Sequence, residues 1–291
     1  MRILLTGRNG QVGLELSRSL APLGELVAYD RAELDLAAPD RIVAEVRSIR
    51  PAVLVNAAAY TAVDRAEREP EAAHAVNARG VAVLAEEAKR AGALLIHYST
   101  DYVFDGTKDA PYVEEDAPNP LNVYGRSKLA GERAIREADC AHLILRTSWV
   151  YAERGTNFFL TVRRLLGEKE ELRVVADQVG APTFAGALAD ATAKLLKDHG
   201  AQALGERRGV YHATASGSTS WHGFATAIAR LEGVEGRVRV VAIPSEAYPS
   251  VARRPKNSRL SGEKLLRQLG VALPPWEVSL AACHALLARA S

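Results

Sequence analysis

The chain has 291 residues, 37 of them basic and 35 acidic, so its formal charge is only +2 and gives no electrostatic footprint for nucleic acid. A composition of 48% hydrophobic and 25% charged residues is typical of globular proteins and excludes a disordered chain. Cys140 and Cys283 match no zinc or redox spacing, and no apolar run is long enough to span a bilayer. We therefore expect a cytoplasmic protein with neither a nucleic-acid nor a membrane partner.

The first half alternates short apolar runs with longer amphipathic segments. This alternation predicts parallel strands, covered on both faces by crossover helices. The predicted strands are 3–6, 26–29, 53–56, 94–98 and 143–146. The predicted helices are 11–20, 41–49, 71–91 and 122–138, with candidate N-caps at Asp40 and at Asn119 or Asn122.

The second half is less regular, with predicted strands at 172–175 and 209–212 and a helix at about 186–197. Residues 105–120 form a proline-containing stretch that predicts a long surface loop, and such loops are often functional. We predict an α/β protein with a Rossmann-like doubly wound parallel sheet in residues 1–150. Residues 151–291 are expected to form a smaller mixed α/β substrate domain, part of which returns to the sheet.

A glycine-rich turn lies between the first predicted strand and the first predicted helix. Glycines let such a turn tighten and let a pyrophosphate approach the backbone, while the free N–H groups of the helix N-terminus attract that anion. The spacing is G-x-x-G-x-x-G, so the position in a strand–turn–helix unit supports dinucleotide binding more than the motif itself does. The predicted cofactor-binding residues here are Gly7, Arg8, Asn9, Gly10, Gln11, Val12 and Gly13.

The end of the second predicted strand bears on the choice between NAD and NADP. Asp30 stands where a carboxylate accepts the hydroxyls of the adenosine ribose, which favours NADH. Arg8 and Arg31 are placed to pair with a 2′-phosphate, which favours NADPH, although both can equally be solvated surface arginines. We predict NADPH and keep NADH as the alternative.

Tyr124 and Lys128 form a Tyr-x-x-x-Lys pattern on a predicted helix, so their side chains lie one turn apart on the same face. Thr100 follows the fourth predicted strand, at the edge where parallel sheets collect their chemistry. Lowering the pKa of a phenol from about 10 to about 7 requires roughly 4 kcal/mol of preferential stabilisation of the phenolate. A neighbouring ammonium supplies part of it, so we predict that these three residues are catalytic.

Together with the segment 56–59 after the third predicted strand, these motifs resemble the extended short-chain dehydrogenase/reductase superfamily. Further blocks at 6–13, 56–67, 99–106, 146–151, 176–183 and 254–260 resemble the dTDP-4-dehydrorhamnose reductase family in particular. The blocks run from the N-terminus almost to the end of the chain, in the family's order. The likeness therefore covers essentially the whole sequence.

The resemblance implies reduction of the C4 ketone of dTDP-4-dehydro-L-rhamnose to dTDP-L-rhamnose. Tyr124 would give a proton to the developing alkoxide, Thr100 would hydrogen-bond the same oxygen, and Lys128 would lower the pKa of Tyr124 and hold the nicotinamide ribose. The cofactor-side residues implied in addition are Asn56, Ala57 and Ala58. Related dehydratases carry an acidic pair after the threonine, whereas this chain has Asp101 and Tyr102, which favours plain reduction.

The dTDP-sugar substrate is predicted to contact residues at the ends of several strands. Trp149 can pack an aromatic face against the sugar, or be a core residue, and Arg259 can neutralise the diphosphate, or belong to a solvated charge run. Asp101 can face the substrate or act as a structural cap. The predicted substrate-binding residues are Thr100, Asp101, Tyr124, Trp149 and Arg259.

Some members of the family are magnesium-dependent homodimers, which leaves a homodimer open for this chain. Glu15 matches one carboxylate position, but Gly186 stands at another, so the ligand set is incomplete and we assign no metal. His97, in the fourth predicted strand, is interpreted as a packed core residue. Two other functions stay open: a reductase or epimerase of another nucleotide sugar, and a non-catalytic regulatory subunit similar to the beta subunit of methionine adenosyltransferase.

Overall fold

The computed structural model describes the backbone of residues 1–290 and the side chains of residues 1–287. The strands are β1 (Arg2–Thr6), β2 (Glu25–Tyr29), β3 (Val53–Asn56), β4 (Leu94–Thr100), β5 (His142–Thr147), β6 (Val150–Tyr151), β7 (Glu171–Val175), β8 (Val179–Gly180), β9 (Thr183–Phe184), β10 (Gly209–His212), β11 (Thr219–Ser220) and β12 (Arg239–Ile243). The helices are α1 (Gln11–Leu20), α2 (Pro39–Ile49), α3 (Val63–Ala66), α4 (Pro70–His74), α5 (Gly80–Ala91), α6 (Val123–Ala138), α7 (Phe158–Glu168), α8 (Ala185–Glu206), α9 (Trp221–Leu231), α10 (Glu263–Leu269) and α11 (Trp276–Ala290). Within this described range, no helix combines the length and the apolar character needed to cross a membrane.

A six-stranded parallel sheet in the order β10-β5-β4-β3-β1-β2 forms the centre of the molecule. The chain winds outward in one direction from β1 to β2 and in the other from β3 to β10, so the order reverses between β1 and β3. Crevices at such a reversal, beyond the carboxyl ends of the strands, are where doubly wound sheets bind ligands. The predicted doubly wound α/β fold is confirmed, and residues 209–212 of the second half supply the outermost strand β10.

Both faces of the sheet are covered by helices, which explains why its inner strands are mostly apolar. On one face, buried leucines of α1 and α8 pack against β1, β4 and β5, and on the other face apolar side chains of α2, α5 and α6 cover the sheet. A separate apolar cluster is built around Tyr151, Phe159, Phe224 and Trp276, from the second half of the chain alone. The predicted domain boundary at residue 150 stays a prediction.

The helix predicted over 71–91 is interrupted. Residues 75–79 form a π-helical turn between α4 and α5. This turn directs the buried side chain of Asn77 at two neighbours: its amide bonds both backbone groups of Tyr60, at 2.8 and 3.0 Å, and the hydroxyl of Ser127 on α6, at 2.9 Å. Single π-helical turns inside helices are frequent near functional sites. Here the turn joins the loop after β3 to the helix that carries Tyr124.

The structure shows which of the predicted N-cap residues cap their helices. Asn122 caps α6, because its side-chain oxygen accepts the backbone N–H of Gly125 at 2.8 Å. Asn119 instead donates to Asp105 at 2.9 Å. The prediction that Asp40 caps the second helix is wrong: Ala38 is the N-cap, since the rigid Pro39 starts the helix and leaves Asp40 in its first turn.

Helix α6 is anchored to the sheet by a buried ion pair. Glu132 accepts two hydrogen bonds from the guanidinium of Arg146 on β5, at 2.9 and 2.6 Å. One of the same carboxylate oxygens accepts the hydroxyl of Ser99 on β4 at 2.6 Å. Lys128 lies one helical turn before Glu132 and Tyr124 one turn before that, so the pair sets the position of both.

Replacing Glu132→Gln is expected to destabilise the fold, because Arg146 would then hold an uncompensated charge in the interior. Such losses cost about 3 kcal/mol in the free energy of unfolding. Urea unfolding followed by circular dichroism measures the loss, with Glu137→Gln on the exposed side of the same helix as the control. Equal midpoints for the two variants would contradict this account of how α6 is held.

Candidate functional site

A pocket of about 590 Å³ lies over the carboxyl ends of β1, β3 and β4, where the strand order reverses. It brings together most of the site residues predicted from the sequence. Those that line it are Gly7, Asn9, Gly10, Gln11, Val12, Asp30, Arg31, Ala57, Ala58, Thr100, Asp101, Tyr124, Lys128 and Trp149. The pocket is therefore shared by the glycine-rich turn and the predicted catalytic residues.

The three glycines of the turn have different roles. Gly7 has a φ of +79°, and a Cβ there would lie 2.6 Å from the backbone nitrogen of Ala58. A Cβ at Gly13 would lie 2.0 Å from the carbonyl oxygen of Gly7, so this glycine lets α1 approach β1 closely. Gly10 faces the pocket as the N-cap of α1, which has no side-chain cap. The N–H groups of the first turn of α1 are thus left for an anion.

Charged groups at the end of β2 are largely paired with one another. The carboxylate of Asp30 accepts the side chains of Asn9 at 2.9 Å and Arg8 at 3.3 Å, and Arg8 also meets Glu33 at 3.1 Å. The backbone N–H of Glu33 contributes most to holding the pKa of Asp30 below its ordinary value. Arg31 is far more exposed than Arg8 and has one ion pair, with Asp35 at 3.4 Å.

The catalytic candidates Thr100, Tyr124 and Lys128 all line the pocket. The hydroxyl of Thr100 accepts the backbone N–H of Tyr102 at 3.1 Å and donates to Asp101 at 3.0 Å. Burial raises the pKa of Tyr124 to about 12, against a lowering contribution from its hydrogen bond with Thr100. The amine of Lys128 donates to the carbonyl of Tyr98 at 2.6 Å and lies 3.1 Å from Nε2 of His97. Burial lowers the pKa of Lys128 to about 8.

His97 is fully buried in β4, as expected of a core residue, yet both of its ring nitrogens have polar neighbours. Nδ1 lies 3.0 Å from the side-chain nitrogen of Asn56, and Nε2 faces Lys128. Asn56 lies opposite His97 in the register of β3 and β4, behind the pocket wall. Sequence spacing gave no sign of this contact, because it depends on the pairing of two strands 41 residues apart.

Trp149 follows β5 in a left-handed backbone conformation with φ of +47°, which is costly for a bulky residue. Its indole stacks on that of Trp221, with ring centroids 3.6 Å apart and an angle of 9° between the planes. A Cβ at Gly180 would lie 2.6 Å from the same indole, so glycine is required beside it. Trp221 also lines the pocket and was missed by the sequence analysis, since nothing in the sequence links it to Trp149.

Four predicted site residues do not line the pocket. Gly13 packs behind the glycine-rich turn, Asn56 lies beneath it, and the guanidinium of Arg8 is held by Asp30 and Glu33. Arg259 bonds the side chain of Asn257 at 2.8 Å and the carbonyl oxygen of Asp109. Its contact with a substrate diphosphate stays a prediction.

Glu15 matches a carboxylate position of the magnesium-dependent proteins that the sequence resembles. This carboxylate is buried and ion-paired with Arg18 at 2.7 Å and with Arg154, so its charge is already balanced by two guanidinium groups. In the described part of the chain, no group of three or more His, Cys, Asp or Glu side chains is arranged to hold a metal ion. The residues present do not fit a magnesium ion within one chain.

Asp101 is a buried carboxyl group on the pocket wall, and burial raises its pKa to about 6 while hydroxyl groups of Ser258 and Thr100 oppose the rise. The folded protein then binds more protons than the unfolded chain between about pH 4 and pH 6, so this group lowers stability as the pH rises through that window. Removing the charge by Asp101→Asn is expected to abolish this loss of stability with rising pH.

The melting temperature of Asp101→Asn, relative to the unchanged protein, should therefore increase between pH 4 and pH 6.5. Differential scanning calorimetry measures it, and Asp109→Asn on the exposed loop is the control. The full difference corresponds to about 3 kcal/mol. A difference between the Asp101 variant and the unchanged protein that does not depend on pH would show that the carboxyl group is not desolvated.

Comparison with known proteins agrees with the fold. The family model described as RmlD substrate binding domain matches residues 1–289. The dTDP-4-dehydrorhamnose reductase of Burkholderia thailandensis is 52% identical over 97% of this chain and 98% of its own length, and that of Escherichia coli K12 is 50% identical over 96% of each. The crystal structure of the Bacillus anthracis dTDP-4-dehydrorhamnose reductase in complex with NADP superposes with a TM-score of 0.91 at 36% identity, covering 98% of this chain and 99% of the other. The chain therefore belongs to the dTDP-4-dehydrorhamnose reductase family of the extended short-chain dehydrogenase/reductase superfamily.

Proposed function

We propose that this protein uses NADPH to reduce the C4 ketone of dTDP-4-dehydro-L-rhamnose to dTDP-L-rhamnose, with Tyr124 as the proton donor. The observation that carries the proposal is that Thr100, Tyr124 and Lys128 line the same pocket as the glycine-rich turn. A dinucleotide anchored at that turn would extend toward the three residues. The names of the relatives, and the NADP in the Bacillus anthracis complex, support the same reaction.

The pocket residues fit a dinucleotide. The free N–H groups at the start of α1 would hold the pyrophosphate, and Gly10 leaves the room for its approach. Asp30 would accept ribose hydroxyls, while Arg31, with one long ion pair and high exposure, is the arginine free enough to turn toward a 2′-phosphate. When bound, the reduced nicotinamide supplies the hydride for the ketone carbon.

Tyr124 suits the role of a proton donor in a reduction. With its pKa raised to about 12 by burial, the phenol stays protonated at neutral pH until a developing alkoxide takes the proton. Thr100 would hydrogen-bond the same oxygen, provided that its hydroxyl turns away from Asp101. In the position where dehydratases hold a second carboxylate, Tyr102 packs edge-on against Tyr124 at 5.6 Å, which favours reduction over elimination of water.

The sugar-nucleotide would occupy the part of the pocket nearer Trp149 and Trp221. Because one face of the Trp149 indole is already covered by Trp221, the sugar would have to pack against the pair or displace one ring. We keep Arg259 as the candidate partner of the diphosphate, reached by release of its bond to Asn257. A homodimer and a cytoplasmic location remain expectations.

The reaction is tested by incubating the purified protein with NADPH and dTDP-4-dehydro-L-rhamnose and following the nicotinamide absorbance. Consumption of NADPH with formation of dTDP-L-rhamnose supports the proposal. Faster consumption with a UDP- or GDP-linked 4-keto sugar would favour a reductase of another nucleotide sugar. Binding of NADPH without turnover of any of these substrates would favour the regulatory subunit instead.

Tyr124→Phe is expected to lower kcat by about a hundredfold or more, because the proton donor is lost while the ring and its packing remain. The Kd for NADPH, measured by fluorescence, should change little. Tyr248→Phe, at an exposed tyrosine, is the control and should retain the activity of the unchanged protein. A Tyr124 variant with unchanged kcat would refute the assignment of the proton donor.

Arg31→Ala is expected to raise the Kd for NADPH about tenfold, since a charge-assisted hydrogen bond to the 2′-phosphate would be lost. The Kd for NADH should stay the same, as that cofactor lacks the phosphate. Arg164→Ala, an exposed arginine paired with Glu168 on α7, controls for a general loss of positive charge. Equal weakening of both cofactors would contradict a specific contact of Arg31 with the phosphate.

A further inference from the structure

The chain of buried contacts from Asn56 through His97 to Lys128 restricts where protons can lie. The side-chain oxygen of Asn56 accepts the hydroxyl of Thr6 at 2.7 Å and the backbone N–H of Ala58 at 3.1 Å. A backbone N–H can only donate, so the atom facing it must be the amide oxygen. The other side-chain atom of Asn56, 3.0 Å from His97, is therefore the NH₂ group.

The orientation of Asn56 fixes the tautomer of His97. Because the NH₂ group donates to Nδ1, this ring nitrogen carries no proton, and neutral His97 has its proton on Nε2. A doubly protonated ring would place an N–H against the NH₂ group of Asn56. Complete burial and the proximity of Lys128 also hold the pKa of His97 well below its usual value.

The Nε2–H group of His97 points at the amine of Lys128, 3.1 Å away. An ammonium has three N–H donors and no lone pair, so it cannot accept this hydrogen bond. A neutral amine can: its lone pair accepts from His97, one N–H donates to the carbonyl of Tyr98 at 2.6 Å, and the second N–H remains for the pocket that Lys128 lines.

We propose that Asn56 and His97 are positioning residues that lower the proton affinity of the Lys128 amine in the cofactor-free protein, because they present an N–H donor, and not an acceptor, to that amine. The consequence for catalysis rests on the proposed function: the charge beside Tyr124 would be set by exchange of a proton between Lys128 and water in the pocket that both residues line. His97 is fully buried, so it orients Lys128 and offers no route for protons from bulk water.

The other charged groups around Lys128 do not enforce an ammonium. Glu132, on the same helix, raises the pKa of Lys128, but both of its oxygens are engaged by Arg146 of β5, and one also by Ser99. Asp101 beyond β4 is a carboxyl group whose pKa burial raises to about 6. Tyr124 is a partly buried phenol whose pKa is raised. Burial opposes the charge on Lys128 more strongly than Glu132 favours it, and lowers its pKa to about 8.

Two NMR measurements on the free, full-length protein test the proposal. With ¹⁵N-labelled histidine, the ring nitrogens of His97 reveal its tautomer, and His97→Gln identifies its signals among the seven histidines. With ¹³Cε-labelled lysine, a pH titration gives the protonation of Lys128, and Lys128→Met identifies its signal among the eight lysines. The expected result is a proton on Nε2 of His97 and a Lys128 midpoint at least one pH unit below those of the exposed lysines.

A single isosteric substitution, Asn56→Asp, provides a more specific test. In Asn56→Asp the carboxylate would accept a hydrogen bond from an Nδ1–H group of His97, so the tautomer should switch and Nε2 should then accept a hydrogen bond from an ammonium. The proton affinity of Lys128 should rise about tenfold or more, together with the switch of the tautomer. A rise in affinity without the switch would show that charge alone acts and would overturn the proposal.

The measurements on the unchanged protein decide the matter even if Asn56→Asp does not fold. A proton on Nδ1 of His97, a doubly protonated ring, or a Lys128 that titrates with the exposed lysines would each overturn the proposal. None of these readings uses a substrate, so they are independent of whether the protein reduces dTDP-4-dehydro-L-rhamnose. Failure of the reductase assay and failure of this proposal are thus distinguishable.

Discussion

The structure of the site depends on how α6 is fixed against the sheet. The buried carboxylate of Glu132 on α6 accepts hydrogen bonds from Arg146 of β5 and Ser99 of β4, so this one side chain connects α6 to two strands. Taking this pair out of water has a cost that its hydrogen bonds offset only in part, because Nη1 of Arg146 is buried without a hydrogen-bond partner among the described residues. The result is a fixed helix position more than a gain in stability. Because Tyr124 and Lys128 lie on the turns before Glu132, their side chains are positioned by the same contacts.

The same helix is held from the other side by an irregularity. The π-helical turn at 75–79 directs Asn77 to Ser127 of α6, and a Cβ at Gly131 would lie 2.2 Å from the carbonyl oxygen of Asn77. A regular α-helix over 71–91 would place the carbonyl oxygen of Asn77 at a different position relative to α6. The pocket therefore has one wall, the N-terminal half of α6, held between an ion pair and a π-helical turn.

The sequence was sufficient for features that depend on local pattern. Apolar runs identified the buried strands, and the glycine-rich turn and the Tyr-x-x-x-Lys spacing identified most of the pocket. It was not sufficient for features created by tertiary packing. The stack of Trp149 on Trp221 joins residues 72 positions apart, and the His97 contacts depend on strand register. Periodicity carries no information on either. The helix α7 was also missed, because the second half lacks a repeating strand–helix pattern.

The electrostatics of the free pocket fit a protein that acts as a reductase. The proton donor must keep its proton until the ketone oxygen becomes basic, and burial of Tyr124 ensures this. A permanent ammonium beside the phenol would weaken that hold on the proton before the hydride is available. A Lys128 whose proton affinity is lowered by burial and by its contact with His97 reduces this early loss. A positive charge at Lys128 stabilises the phenolate once it has formed.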